Sequence, residues 1–246
     1  MSLTSPDYWS KRQKGLGDAV LGKPIRELID VVAPFIEEGA NFMELGCSPG
    51  IVSAWLGRIK ALNLFGVDFS PEAHTYLQNV KRICGGEPVL YNCDLFQFES
   101  DMKFDVVASF GLIEHFVDPM PAIRKHYELC RPGGLVIIGT PNFRYVQYLY
   151  HLLLDGRDLS VHNLKVMNLD FFNRISDDLH LTTLLLGHFG TMSFWNFDNE
   201  GIRLAAMLRK IAAKGLCLLT DKFFSKVLPG DNKVYSPWIV YVGKRN

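Results

Sequence analysis

The residues able to do chemistry lie at three places in the chain. The first is Met43-Glu44-Leu45-Gly46-Cys47-Ser48-Pro49-Gly50, an apolar run that turns on glycine and gives way to a second apolar stretch from Ile51. This pattern predicts a buried strand entering a tight turn that opens a helix. Glycine there lets backbone and ligand approach closely, and the unpaired N–H groups of a helix start carry partial positive charge, which suits an anion such as a carboxylate. An ordinary strand-to-helix turn would look the same. The second place is Asp68, ending another apolar run in Gly66-Val67-Asp68-Phe69-Ser70. An acid at that point can accept both hydrogen bonds of a ribose diol. Its alternative role, capping a helix before Pro71, is better filled by Ser70. The third place is Glu114-His115, just beyond a fourth apolar run. Histidine titrates near neutrality, so His115 is a candidate general base with Glu114 beside it. The plainer reading of the pair is backbone capping by Glu114 and packing by His115.

The elements that must position these groups alternate. Ile25, Leu28, Ile29, Val32 and Ile36 recur at helical spacing up to Gly39, ahead of a strand at Asn41 to Leu45. Leu62 to Val67 predicts a second strand, Ala73 to Cys84 a helix closed by Gly85-Gly86, and Pro88 to Tyr91 a third strand. Phe104 to Phe110 predicts a fourth, followed by a helix carrying Ile123, Tyr127 and Cys130, a turn at Arg131-Pro132-Gly133-Gly134, and a strand at Leu135 to Gly139. Nearly continuous apolar strands alternating with helices imply an α/β fold with a mostly parallel sheet covered on both faces, ligands gathering at the carboxyl ends of the strands. From residue 143 to about Gly190 the pattern reads as a helical, irregular insertion, after which Thr191 to Phe197 and Ser236 to Gly243 read as strands. One domain is expected over residues 1–246: a helical cap at 1–37, a cofactor-binding core at 38–142, a substrate-covering insertion at 143–190, and strands with a helix at 191–246.

Composition narrows the function classes. Hydrophobic residues make up 48% and charged residues 21%, which supports a buried core rather than disorder. Lys+Arg and Asp+Glu are 26 each, so no chain-wide positive field is available to hold a phosphate backbone, and nucleic acid is not the expected partner. Cys47, Cys84, Cys93, Cys130 and Cys217 are widely spaced without a CxxC pair, matching neither a zinc site nor a disulfide framework and pointing to a reducing, cytoplasmic setting. The first residues hold no apolar leader core, and no stretch offers the ~18 uninterrupted apolar residues of a membrane span.

From Phe42 to Asn142 the chain resembles the class I S-adenosylmethionine (SAM)-dependent methyltransferases, particularly the small-molecule branch containing the ubiquinone-biosynthesis O-methyltransferases. The resemblance rests on ordered blocks: the glycine turn after Glu44, Gly66 to Ser70, Cys93-Asp94-Leu95, Phe104-Asp105-Val106-Val107, Ile113-Glu114-His115-Phe116, and Arg131 to Asn142. It implies a Rossmann-like, seven-stranded, mostly parallel sheet whose last strand inserts antiparallel beside the strand ending at Gly139, with Pro237 at its margin. It further implies that Glu44, Gly46 and Gly50 surround the methionine portion of SAM and that Cys47, Ser48 and Phe110 also belong to the cofactor site. Asp68 would hold the ribose, Asp94 the adenine amino group, and Phe69 and Leu95 the faces of the adenine. Ser48 stands where the family usually has another glycine. In the ubiquinone-type enzymes the matching Glu-His pair, joined by another acid, is associated with a divalent metal. Gly111 replaces that acid here, so no tightly held metal ion is expected.

The rival cofactor is NAD(P), but its fingerprint needs a middle glycine against the pyrophosphate, and Gly46-Cys47-Ser48-Pro49-Gly50 lacks it. A methyltransferase-like protein that binds SAM without turnover is the second alternative. The sequence after the fourth strand, Ser109-Phe110-Gly111-Leu112, is not the Asn/Asp-Pro-Pro-aromatic cluster of enzymes that methylate base amines. Base amino-methylation is therefore not expected, and the resemblance implies methyl transfer to oxygen of a small molecule, with nitrogen or carbon as the alternative acceptor atoms. Phe143, Tyr145, Tyr148, Tyr150, Phe171 and Phe172 would roof an aromatic or lipophilic acceptor, although each alone reads equally as packing. His151 and His162, in the same insertion, are candidates to reach the acceptor, the plainer reading of each lone histidine being a core or surface residue. Arg203 to Leu228 carries six basic residues against one acid, with Leu204, Met207, Leu208 and Ile211 on one helical face. That pattern fits a core-packing helix with a solvated basic face, or peripheral contact with an anionic membrane.

Overall fold

The computed structural model describes residues 2–5, 8, 9, 21–154, 159–193, 215 and 230–246. Seven strands form one sheet in the order β3-β2-β1-β4-β5-β7-β6. They are β1 (Asn41–Leu45), β2 (Asn63–Val67), β3 (Val89–Tyr91), β4 (Phe104–Phe110), β5 (Cys130–Pro141), β6 (Leu181–Phe189) and β7 (Trp238–Arg245). β1 to β5 pair in parallel, and β7 runs antiparallel between β5 and β6. The expected last strand is thus in its expected place, Pro141 opposite Trp238, with Pro237 just outside the ladder where its missing N–H costs nothing.

Among the described residues the bounded helices are α1 (Lys23–Val32), α2 (Ile51–Lys60), α3 (His74–Cys84), α4 (Met120–Leu129), α5 (Tyr145–Leu154) and α6 (Leu169–Leu179). Two apolar clusters sandwich the sheet. One gathers Leu28, Ile29 and Val32 of α1, Ala54 and Leu56 of α2 and Tyr76 and Val80 of α3 against Phe42, Val106 and Ile137. The other gathers Ile123 and Leu129 of α4 and Phe172 and Ile175 of α6 against Met43, Val107 and Ile138. Alternate residues of each central strand serve opposite layers, which is why those strands read as unbroken apolar runs. Phe104 pairs with Cys130 and Val106 with Leu135, so Arg131 to Gly134 loops out within β5, and Arg131 Nε reaches Asp105 Oδ1 at 2.5 Å.

Three local readings change. Leu181–Phe189, expected to belong to the helical insertion, is an edge strand, so the segment between β5 and β6 is shorter than predicted. Thr191 to Ser193 is not strand; the rest of the predicted strand, 194–197, lies outside the described residues, as does Arg203 to Leu228 apart from Gly215. Ser70 does not cap α3: a turn intervenes, the helix begins at His74, and Ser70 Oγ has no partner among the described residues. Among the described residues no helix is long and apolar enough to cross a membrane.

Candidate active site

Parallel pairing brings the sequence-distant candidates together. Leu45 lies opposite Val67, and Val67 opposite Tyr91, so the turn after β1, Asp68 after β2 and Asn92 after β3 are neighbours. Gly46 N–H and Cys47 N–H both donate to Val67 O, at 2.8 and 3.2 Å. Gly46 adopts φ 70°, and a Cβ there would lie 2.9 Å from Leu112 Cδ1. Gly50 adopts φ 80°, and a Cβ there would lie 2.5 Å from the Tyr76 ring. Both positions therefore exclude a side chain by conformation and by space. Ser48, the departure from glycine, is accommodated: its Oγ lies 3.0 Å from Thr75 Oγ1 and its N–H donates to Asp68 Oδ2 at 2.9 Å.

Asp68 is the hub of this turn. Oδ1 accepts from Ser70 N–H at 2.8 Å, while Asn92 Nδ2 donates to the Asp68 and Ser70 carbonyls at 2.7 and 3.1 Å. Each carboxylate oxygen has a second lone pair beyond these bonds. Burial raises the Asp68 pKa, opposed by bonds from Ser70 and Ser48. Glu44 is buried in the strand before the turn and accepts a bond from Ser53 Oγ. Burial, opposed by that bond and reinforced by the nearby Asp68 charge, pushes its carboxyl up to about 8. The Cys47 thiol points into the core against Gly66 and is also raised by burial, so this residue offers its backbone to the site.

Along the rim, Phe69 is 41% exposed and Phe96 47% exposed, whereas Leu95 turns its side chain into the core. Asp94 is exposed, and its Oδ1 accepts from Phe96 N–H at 2.7 Å. Phe110, at the end of β4, packs over Gly139 beside Leu28. Asn92 and Phe96 were missed by sequence reasoning. Phe96 could have been flagged as an aromatic two positions after Asp94; Asn92 carries no signal until the strands pair.

Beyond β4 the backbone turns at Gly111, φ 79°, into a short helical turn, Ile113–His115, that is wholly buried. Glu114 Oε1 stands 3.8 Å from His115 Nε2. His115 Nδ1 lies 3.0 Å from Val161 O. A carbonyl can only accept, so Nδ1 carries a hydrogen and Nε2 faces the carboxylate. Asn163 fastens the insertion here: its N–H donates to Glu114 O at 2.6 Å, and its Nδ2 to Phe116 O and Val117 O at 3.0 and 3.2 Å. His162 is thereby held with its ring centroid 4.5 Å from that of His115 and 4.7 Å from that of Phe143. His151, on α5, has its ring centroid 4.3 Å from that of Phe143. From the amino-terminal segment, Leu3 N–H donates to His115 O at 2.7 Å and Trp9 lies edge-on to the His115 ring at 4.8 Å. Tyr148, expected in the roof, is instead 42% exposed on α5, and Phe172 lies in the core. Nothing in the sequence marks Trp9 or the joining of His162 to His115, because hydrogen bonds between distant segments create both.

A family model described as "Methyltransferase domain" matches residues 8–182. The ubiquinone biosynthesis O-methyltransferase of Pseudomonas aeruginosa (strain UCBPP-PA14) is 27% identical over 139 residues, 53% of this chain and 59% of that protein. The mitochondrial ubiquinone biosynthesis O-methyltransferase of Dictyostelium discoideum is 28% identical over 130 residues, 47% of this chain and 40% of that protein. These matches therefore span only about half the length of the curated relatives. In fold, the chain is similar to the N-methyltransferase NodS from Bradyrhizobium japonicum WM9, solved with S-adenosyl-L-homocysteine (TM-score 0.56, 14% identity, covering 99% of this chain and 94% of that one). It is likewise similar to the SAM-dependent methyltransferase from Thiobacillus denitrificans, solved with the same ligand (TM-score 0.60, 15% identity, 97% and 98% covered). With a matching family model over most of its length, and the glycine turn, Asp68 and Glu114-His115 at the carboxyl ends of β1, β2 and β4, the chain belongs to the methyltransferase-domain family.

Proposed function

We propose that this protein binds SAM at the carboxyl ends of β1 to β4 and transfers its methyl group to an oxygen of a small aromatic or lipophilic molecule in the cytoplasm. The observation that carries the reading is the convergence of a side-chain-free glycine turn, the Asp68 hub and the buried Glu114-His115 pair at one end of the sheet. The residues fit the cofactor. Glu44 is a buried carboxyl suited to receive an ammonium group, which would draw it into the charged state. Asp68 has lone pairs left for ribose hydroxyls, and Asp94, Phe69 and Phe96 offer a polar edge and exposed rings for the base. When bound, SAM supplies an electrophilic methyl on a sulfonium sulfur.

The chain's own work is then alignment and proton removal. Bringing acceptor and methyl into line converts a bimolecular step into a local one. In the metal-free chain His115 Nε2, its tautomer set by Val161 O, is the atom able to take the acceptor's hydroxyl proton, a contribution typically of ~10²–10⁴ in rate. Cysteines 47, 84, 93 and 130 are all free thiols, which supports the cytoplasmic setting.

The test has two parts. Calorimetry should give SAM binding that Asp68→Ala weakens at least tenfold, consistent with ~1.5–3 kcal/mol for a charge-assisted bond. Methyl transfer to a panel of phenols, catechols and amines should favour hydroxyl acceptors, and His115→Ala and Glu114→Gln should each lower turnover at least a hundredfold at saturating SAM. Binding without transfer to any acceptor would favour a SAM-binding protein without turnover. Near-native turnover in both variants would make the pair structural.

A further inference from the structure

We propose that Glu114, His115 and His162 form a binding site for a divalent transition ion of the zinc and cobalt class, in which His162 supplies the donor that the sequence lacks at Gly111. One carboxylate oxygen and one imidazole nitrogen from each histidine lie within 4.8 Å of one another, and all three residues are buried. Donors bound to such an ion at ~2.0–2.2 Å stand roughly 3–3.5 Å apart, so from 4.8 Å the widest separation has to contract by about 1.3–1.8 Å.

Three features distinguish this cluster from a chance grouping. The first is orientation: the bond from His115 Nδ1–H to Val161 O presents Nε2 to Glu114 with its lone pair inward, the outer-shell arrangement that metal-binding histidines use. The second is prior assembly. Val161, His162 and Asn163 are strapped to residues 114–117 by the Asn163 bonds to Glu114, Phe116 and Val117, so the third donor is positioned without an ion. The third is the lack of the alternative donor: Gly111, at φ 79°, has no side chain, so no side-chain oxygen comes from that position.

The donor chemistry selects the ion. Two imidazoles and one carboxylate suit zinc, cobalt, nickel or iron, whereas magnesium and calcium demand oxygen-rich shells. Three protein donors leave positions for other ligands, the pattern of catalytic rather than closed structural sites. An ion held here would engage His115 Nε2, so proton removal by His115 belongs to the metal-free chain. Since His162 belongs to the segment between α5 and α6, the ion also fastens that segment to the end of β4.

The experiment uses the full chain, stripped with chelator and free of SAM and acceptor, so its outcome is separable from that of the methyl-transfer reading. Cobalt(II) titration should produce ligand-field absorption saturating at one equivalent, displaced by zinc and unaffected by excess magnesium. His162→Ala, checked for an unchanged metal-free melting curve, should bind cobalt at least tenfold more weakly. Proton NMR of the cobalt-loaded unaltered protein should show hyperfine-shifted ring resonances from two histidines, one retaining a slowly exchanging N–H from His115 Nδ1. Absence of the absorption, displacement by magnesium, undiminished binding in a folded His162→Ala, or fewer than two coordinated imidazoles overturns the proposal.

Discussion

Glu44 concentrates the conflict between stability and binding at this site. Its carboxyl is raised from 4.5 to about 8, mainly by burial. Between those values the folded chain keeps a proton that the unfolded chain has released, so stability should fall as pH rises through the window. Glu44→Gln should accordingly melt at a higher temperature than the parent at pH 8, the difference vanishing below pH 4.5. The same variant should lose cofactor affinity. Binding of the SAM ammonium to the parent should also release a proton near pH 7, measurable as a dependence of calorimetric heat on buffer ionisation enthalpy and absent in Glu44→Gln. A parent without pH-dependent melting relative to the variant would contradict the buried neutral carboxyl. Glu44 was legible in the sequence because it interrupts an apolar strand just before a glycine turn. His162 had no such context: it stands among unpatterned residues, and bonds from the Asn163 backbone N–H and side-chain amide bring it beside His115.

At the scale of elements, the parallel half of the sheet was readable and its far edge was not. β1, β2, β4 and β5 are covered on both faces, and their continuous apolar runs identify them as strands. β6 is covered less: after buried Leu181 come three exposed residues and then five half-buried ones, so it lacks both an unbroken run and a strict alternation. Its neighbour β7 ends in an anchor. Arg245 Nη1 donates to Tyr127 O and Cys130 O at 2.8 and 2.6 Å, and its guanidinium lies 4.1 Å from the Tyr127 ring centroid. One side chain thus joins the sheet's antiparallel strand to the corner where α4 becomes β5. Arg245→Met removes the charge-assisted bonds and the cation–π stacking at once, and it should lower unfolding stability by about 2–3 kcal/mol in urea titration. A change below about 0.5 kcal/mol would mean the corner is held without the guanidinium.

For the molecule as a whole, acid tolerance should turn on a residue remote from the site. His126, fully buried on α4, donates from Nδ1 to Ala122 O at 2.8 Å, and its Nε2 has no partner among the described residues. Burial, opposed by that bond, pulls its pKa from 6.5 to about 4. Between these values the unfolded chain binds a proton that the folded chain refuses, so stability drops as pH falls through the window, opposite in sign to Glu44. His126→Leu should resist acid unfolding better than the parent near pH 4, with the two converging above pH 6.5 in melting curves. Equal acid sensitivity would mean the ring is accommodated charged.

The strand order has a consequence for how such a chain is made. β7 fills the gap between β5 and β6, although residues 142–237 separate it in sequence from the first of these. During synthesis β1 to β5 can assemble as they emerge, but among the described residues β6 pairs only with β7, which follows it by some fifty residues. Until then two strand edges are open to any extended segment nearby. The nascent protein is therefore most vulnerable to mispairing just before β7 is delivered, and that is the interval in which a chaperone would matter most.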